Sequence, residues 1–212
     1  TKSSFYNPFA GVSEGTLVSP GTYSIDMSLL NDGEITKLVY PQNFNIYALN
    51  NTVMPADDRL AKVDFQRKVA KLQAQMGEYS RKLSEVSNKI PYIEEAVKRV
   101  EEPIDEISKM VWDIAQSIKE VNLKFYGDNI KSKLDIQSYL SPYSRLGSVA
   151  YYQKYSTAAP TTTHMNSYEI AKEEFQPIKL MIDELKVEMS ALEGRLKEIG
   201  AAYTPGRPKY MN

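Results

Sequence analysis

From Phe65 to Val100 the chain keeps a seven-residue beat. Phe65, Val69, Leu72, Met76, Tyr79, Leu83, Val86, Ile90, Ile93, Val97 and Val100 follow one another in alternating steps of four and three. A seam at period 3.5 can be buried only by a left-handed supercoil against other helices, so this segment dictates a helical partner. Asp57 or Asp58, after Pro55, supplies the N-cap, and the helix is expected over about 58–100. Pro91 falls inside it and removes one backbone hydrogen bond, so a kink near Pro91 is expected rather than a stop, because the seam keeps register across it.

Two further segments repeat the beat. Ile104, Ile107, Val111, Ile114, Ile118, Val121 and Phe125 define a helix over 104–126, with Pro103 at its first position and Gly127-Asp128 closing it. Tyr168, Ala171, Phe175, Ile178, Ile182, Leu185, Met189, Leu192, Leu196 and Ile199 define a third over 166–200. Asn166 and Glu169 have capping-box spacing, and Gly200 is the stop signal. The middle helix is shorter than its neighbours, ~34 Å against ~50 Å. The segment 128–165 therefore has distance to cover, and Pro142–Tyr155 reads as a short extra helix within it. Thr157–Thr163 reads as an extended connection. The predicted architecture is mainly α: an up-down three-to-four-helix bundle over 55–212. An intermolecular coiled-coil spacer is the competing use of such seams. It would leave two seams uncovered per chain, so a monomer is favoured.

Residues 1–54 carry the small β part. Tyr23, Ile25, Met27 and Leu29 alternate with polar residues, the period of a half-buried strand. Asn31-Asp32-Gly33 supplies the positive-φ positions of a tight hairpin. A second strand is expected over Glu34–Tyr40, interrupted by Pro41, and a third over Gln42–Leu49 with Phe44 and Ile46 inward. Three strands have a marginal core of their own, so they are expected to pack on the helices or complete a sandwich from a neighbouring domain. Residues 1–20, rich in Ser, Gly, Pro and Asn and without a signal-peptide pattern, read as a lead-in inside a larger chain.

Composition narrows the chemistry. The 212 residues allow one domain or one with a satellite, and 26 basic against 27 acidic residues give no electrostatic footprint for nucleic acid. With no Cys there is no disulfide frame, thiolate metal site or cysteine nucleophile. His164, the one histidine, fits a polar position in a connection better than a general base, since no Ser/Asp arrangement surrounds it. No apolar run is long enough to span a membrane. Glu94-Glu95, Glu101-Glu102 and Glu173-Glu174 are adjacent on helices, point apart, and read as solvated faces. No metal or cofactor site is indicated, and no catalytic residue is assigned. Tyrosine is the compositional outlier at 15 residues, and Tyr139, Tyr143, Tyr151, Tyr152 and Tyr155 crowd one stretch. Packing at the short helix accounts for them, while a stacking platform for a sugar or a protein makes them the candidate binding surface.

Several short stretches, in order, carry a resemblance. They are Ser19-Pro-Gly-Thr-Tyr-Ser-Ile25, Gly33-Glu-Ile-Thr-Lys-Leu38, Pro41-Gln-Asn-Phe44, Ala159-Pro-Thr-Thr-Thr-His164, Tyr168-Glu-Ile-Ala171 and Ala201-Ala-Tyr-Thr-Pro-Gly206. Together they resemble the C-terminal region of bacterial sortilin-like, BNR-repeat β-propeller proteins described as glycosyl hydrolases. The resemblance implies an Ig-like β unit followed by an appended bundle, a non-catalytic accessory module of an exported protein, periplasmic or extracellular. The N-terminal propeller of the parent is the implied partner, with a protein or a glycan as a further one. Any glycosidase residues would lie in the propeller, so none transfers to this chain.

Overall fold

The computed structural model describes residues 18–49, 59–100, 105–202 and 204–205. The expected caps at Asp57 and Asp58, and the junction at Glu101–Ile104, lie outside the described residues. The element order is β1 (Gly21–Asn31), β2 (Glu34–Ile46), α1 (Arg59–Lys98), α2 (Asp105–Tyr126), α3 (Asn129–Lys133), α4 (Pro142–Tyr155) and α5 (Thr162–Glu198). Among the described residues the chain is mainly helical with one small antiparallel sheet, and it divides into two compact units. One runs through the hairpin to Gln66 and takes in Gln153–Ala159, and the other comprises Arg67–Tyr152 and the chain from Pro160.

In the helical unit the seams are spent within the chain. Every α2 seam residue from Ile107 to Phe125 is buried, as is the α5 seam from Tyr168 to Leu196. The α1 seam is buried too, except for half-buried Tyr79, Val97 and Val100. Two side-chain contacts set the α1–α5 register. Tyr79 Oη donates to Asp183 Oδ2 at 3.0 Å, and Lys89 Nζ reaches Glu193 Oε1 at 2.7 Å. Both pairs are 104 residues apart, so the two long helices run parallel. The hydrogen bond to Asp183 holds the Tyr79 phenol above its usual pKa, and Lys82 sits 3.9 Å over the same ring. α2 runs antiparallel to α5, with Arg195 on Glu106 at one end and Phe125 stacked on Phe175 at the other.

Gly127 and Gly200 end their helices as expected, whereas one described helix start is an exception. Gly127, at φ +86°, ends α2 in the left-handed region, a conformation that side-chain-bearing residues rarely adopt. Gly200 ends α5 in a Schellman arrangement, its N–H donating to Lys197 O while Ala201 N–H donates to Leu196 O. The exception is the start of α5. It begins at Thr162, four residues before Asn166, because Thr161 Oγ1 accepts from His164 N–H at 3.2 Å and caps the helix earlier. The expected extended connection over Thr157–Thr163 is thus shortened, and His164 belongs to the first turn. Pro91 and Pro177 both lie inside continuous helices. The sequence reading had no counterpart of α3. Asp128, beyond the Gly127 stop, does more than close α2: it caps α3 by accepting from Ile130 and Lys131 N–H, each at 3.0 Å.

The β part is a two-stranded hairpin, correcting the expected three strands. The second and third strands are one, β2, which passes through Pro41. The register explains how. Ile25 pairs with Gln42 and Met27 with Val39, so Tyr40 and Pro41 together oppose Asp26. A second irregularity, between Met27 and Ser28, leaves Leu38 unpaired. These two bulges absorb the extra length of β2, and Pro41 falls in one of them, where its missing N–H costs no ladder bond. Asp32 and Gly33, at φ 49° and 88°, form the two-residue loop with both positive-φ positions that a type I′ turn requires.

In the same unit, two polar contacts join the start of α1 to the end of α4. Gln66 Nε2 donates to Gln153 O at 2.8 Å, and Lys62 Nζ to Ser156 O, so the end of α4 runs antiparallel to the start of α1. Lys62 is buried, and desolvation lowers its pKa below 10.5. The unfolded chain therefore binds this proton more tightly, and stability contributed by Lys62 rises with pH from the lowered value to 10.5. Urea midpoints of the wild type and Lys62→Met, compared at neutral pH and near the upper end of that window, are expected to shift relative to each other in favour of the wild type at the higher pH. A constant difference would contradict the desolvation.

Candidate functional site

The hairpin presents the most conspicuous surface. Because β1 has no bulge, Tyr23, Ile25, Met27 and Leu29 share one face, joined from β2 by the opposing Phe44 and Val39. Tyr23 is half-buried, its ring 6.1 Å from Phe44 and its hydroxyl donating to Ser19 O at 2.7 Å. The others are open: Ile25 is 62 % exposed, Met27 58 % and Leu29 51 %. The face expected to be half-buried is therefore uncovered by the described residues. The opposite face is polar over most of its length, with Thr22 Oγ1 bonded to Asn45 Oδ1 at 2.8 Å.

A two-stranded sheet with its apolar face in water is at the margin of stability. Its amides are expected to exchange with solvent faster than those of α2 and α5 by about three orders of magnitude or more, given ordinary domain stability. Hydrogen exchange resolved by residue checks this. Equal protection of Met27 and Ile182 would mean that something already covers the hairpin.

The tyrosine stretch does not form a single platform. Tyr143 is half engaged in the bundle, its ring 5.6 Å from Phe125 and 5.1 Å from Tyr126, whose hydroxyl bonds Ser80 Oγ at 2.7 Å. Tyr139, in the loop before α4, is almost fully exposed. Tyr155 lies in the other unit with Lys154 Nζ 5.2 Å from its ring centroid. Tyr151 and Tyr152 do come together, edge to face at 5.6 Å. His164 stacks on Tyr152 at 6.0 Å with an interplanar angle of 18°, which gives a contiguous, largely exposed aromatic strip.

Two surfaces had no counterpart in the sequence reading. Trp112, the one tryptophan, stands exposed beside an open groove of about 520 Å³ between α1 and α2, floored by Val97, Val111 and Ala115 and rimmed by Glu94, Lys98 and Lys119. An apolar residue off the seam was its only signal in the sequence. Residues 130–140 expose Ile130, Leu134, Ile136 and Leu140 around the short α3. No periodicity marks that segment.

Among the described residues no three His, Asp or Glu side chains converge as metal ligands, and no helix is long and apolar enough to cross a membrane. The adjacent glutamates lie on helix surfaces: Glu94 and Glu95 are exposed, as are Glu173 and Glu174. Comparison of the chain with protein-family models, with curated proteins and with solved structures yields no match.

Proposed function

We propose that this chain is a non-catalytic accessory module of a larger exported protein of the sortilin-like, BNR-repeat type, which it joins through its β-hairpin. The observation that carries the reading is the uncovered apolar face of Tyr23, Ile25, Met27, Leu29, Val39 and Phe44 on a sheet too small to stand alone. The helical unit, with its three seams buried, is the rigid support. The resemblance of the Pro-Gly-Thr-Tyr stretch and its followers to the region after such propellers names the partner as β-structured.

Calorimetric titration of the chain with a purified sortilin-like propeller tests this. Binding is expected, weakened at least about tenfold by Ile25→Ser with Met27→Ser, since central apolar contacts carry most interface energy. No heat with the wild type, or identical affinity for the double variant, would refute the reading.

The Tyr151–Tyr152–His164 strip favours a second reading, a carbohydrate-engaging module of a glycoside hydrolase, because stacked exposed rings suit sugar faces. Titration with a panel of soluble polysaccharides decides it. Binding abolished by Tyr151→Ala with Tyr152→Ala supports it, and binding that is absent or survives the substitutions removes it.

A further inference from the structure

Among the described residues the hairpin has two unpaired edges, and they are not equivalent. The β2 edge is obstructed: it carries both bulges, Pro41 with no N–H to offer, and Lys37. Bulges, proline and lysine are the features by which sheets close an edge to further pairing. The β1 edge has none of them. Its eleven residues, Gly21–Asn31, form an unbroken strand without proline or a basic residue. Among the described residues β1 pairs with β2 alone. Its outward N–H and C=O groups are thus a template for one more strand.

The charge on β1 says what kind of strand. Asp26 is the sixth of the eleven residues and the only charged one, and it has no ion-pair partner among the described residues. A second copy of β1 in full overlap, antiparallel or parallel, would set Asp26 against Asp26, and like charges directly opposite are destabilising. A lysine or arginine at that point of an incoming strand would be stabilised instead. On the other face of the strand, alternate apolar residues would extend the row made by Tyr23, Ile25, Met27 and Leu29.

We propose that the β1 edge receives a third strand from a partner polypeptide, an extended segment with apolar residues at alternate positions and a basic residue opposite Asp26. The proposal rests on the reading of the hairpin as a docking element and adds which edge is used and what chemistry the partner strand carries.

The test uses the full chain and a synthetic peptide of the same length as β1. The peptide alternates valine and threonine, has lysine at its centre, and is N-methylated along its outer edge so that it cannot form fibres. Residue-resolved hydrogen exchange is expected to show alternate β1 amides slowed at least about tenfold by this peptide, with the β2 edge unchanged. A twin peptide with central glutamate is expected to protect about tenfold less well, and Asp26→Lys to reverse the preference. Protection of the β2 edge, no protection of β1, or indifference to the central charge would overturn the proposal. Loss of propeller binding in the Ile25→Ser, Met27→Ser variant alongside an unprotected β1 would keep the docking reading and eliminate strand addition. Protected β1 amides with no affinity for a propeller would do the reverse.

Discussion

Phe125→Ala is expected to cost about 3–5 kcal/mol of stability, among the largest effects of a single truncation in the helical unit. Phe125 is completely buried at the end of α2, stacked on Phe175 at 5.5 Å and in contact with Tyr126 and Tyr143 at 4.6 and 5.6 Å. Three helices therefore lose contacts at once. The bulk of Phe175 and the rigid rings around it prevent the space from collapsing, so the cavity penalty adds to the transfer penalty. Phe175→Ala is expected to cost a similar amount. The double variant should cost less than the sum, because each single change already removes the shared stack. Urea unfolding followed by far-UV circular dichroism measures all three, with Tyr139→Ala, almost fully exposed, as a control expected within about 0.5 kcal/mol of wild type. Trp112 is 62 % exposed and makes a poor reporter of this core. A Phe125→Ala cost as small as the control's would mean that the aromatic cluster does not tie α2, α4 and α5 together.

Lys89→Met is expected to destabilise by about 2 kcal/mol, below the 3–5 kcal/mol of a fully buried pair. Glu193 is buried in α5, and its carboxylate is met by Lys89 from α1 at 2.7 Å. Lys89 retains 23 % side-chain exposure, so water screens part of the attraction, whereas Glu193 has only 9 %. Removing the cation leaves the more deeply buried charge uncompensated. Glu193→Met leaves an ammonium that can reach solvent on its flexible stem, and should cost less. The double variant, Lys89→Met with Glu193→Met, is expected to recover most of the loss, since an apolar pair has no desolvation penalty to offset. The same denaturation measurement applies. Equal costs for both single variants would contradict the asymmetry of burial.

The helices were legible because each seam repeats a local rule many times. Ten α5 seam positions from Tyr168 to Ile199 agree with one another, so a single Pro177 cannot overrule them. The start of α5 was less legible because two capping residues, Thr161 and Asn166, competed within one short stretch, and both satisfy the same local chemistry. The tyrosines were visible as a cluster in sequence but not in space. Tyr143 turns toward Phe125, whereas Tyr151 and Tyr152 remain outside. Which side of α4 is covered depends on helices distant in the chain.

The strands show the division most clearly. Alternation at Tyr23, Ile25, Met27 and Leu29, and the Asp32-Gly33 turn, are properties of the local sequence, and they determined a hairpin with one apolar face. Pro41 read locally as an interruption. The register alone could turn it into a bulge residue in a continuous β2, because a missing N–H matters only where a partner would have used it. The seven-residue beat likewise determined that three helices must bury their seams together, through the fixed geometry of the helical turn. Tertiary structure decided that they do so within one chain, with α1 parallel to α5, and that the hairpin's apolar face stays open among the described residues. Those outcomes depend on which surfaces meet, and hydrophobic burial is non-directional.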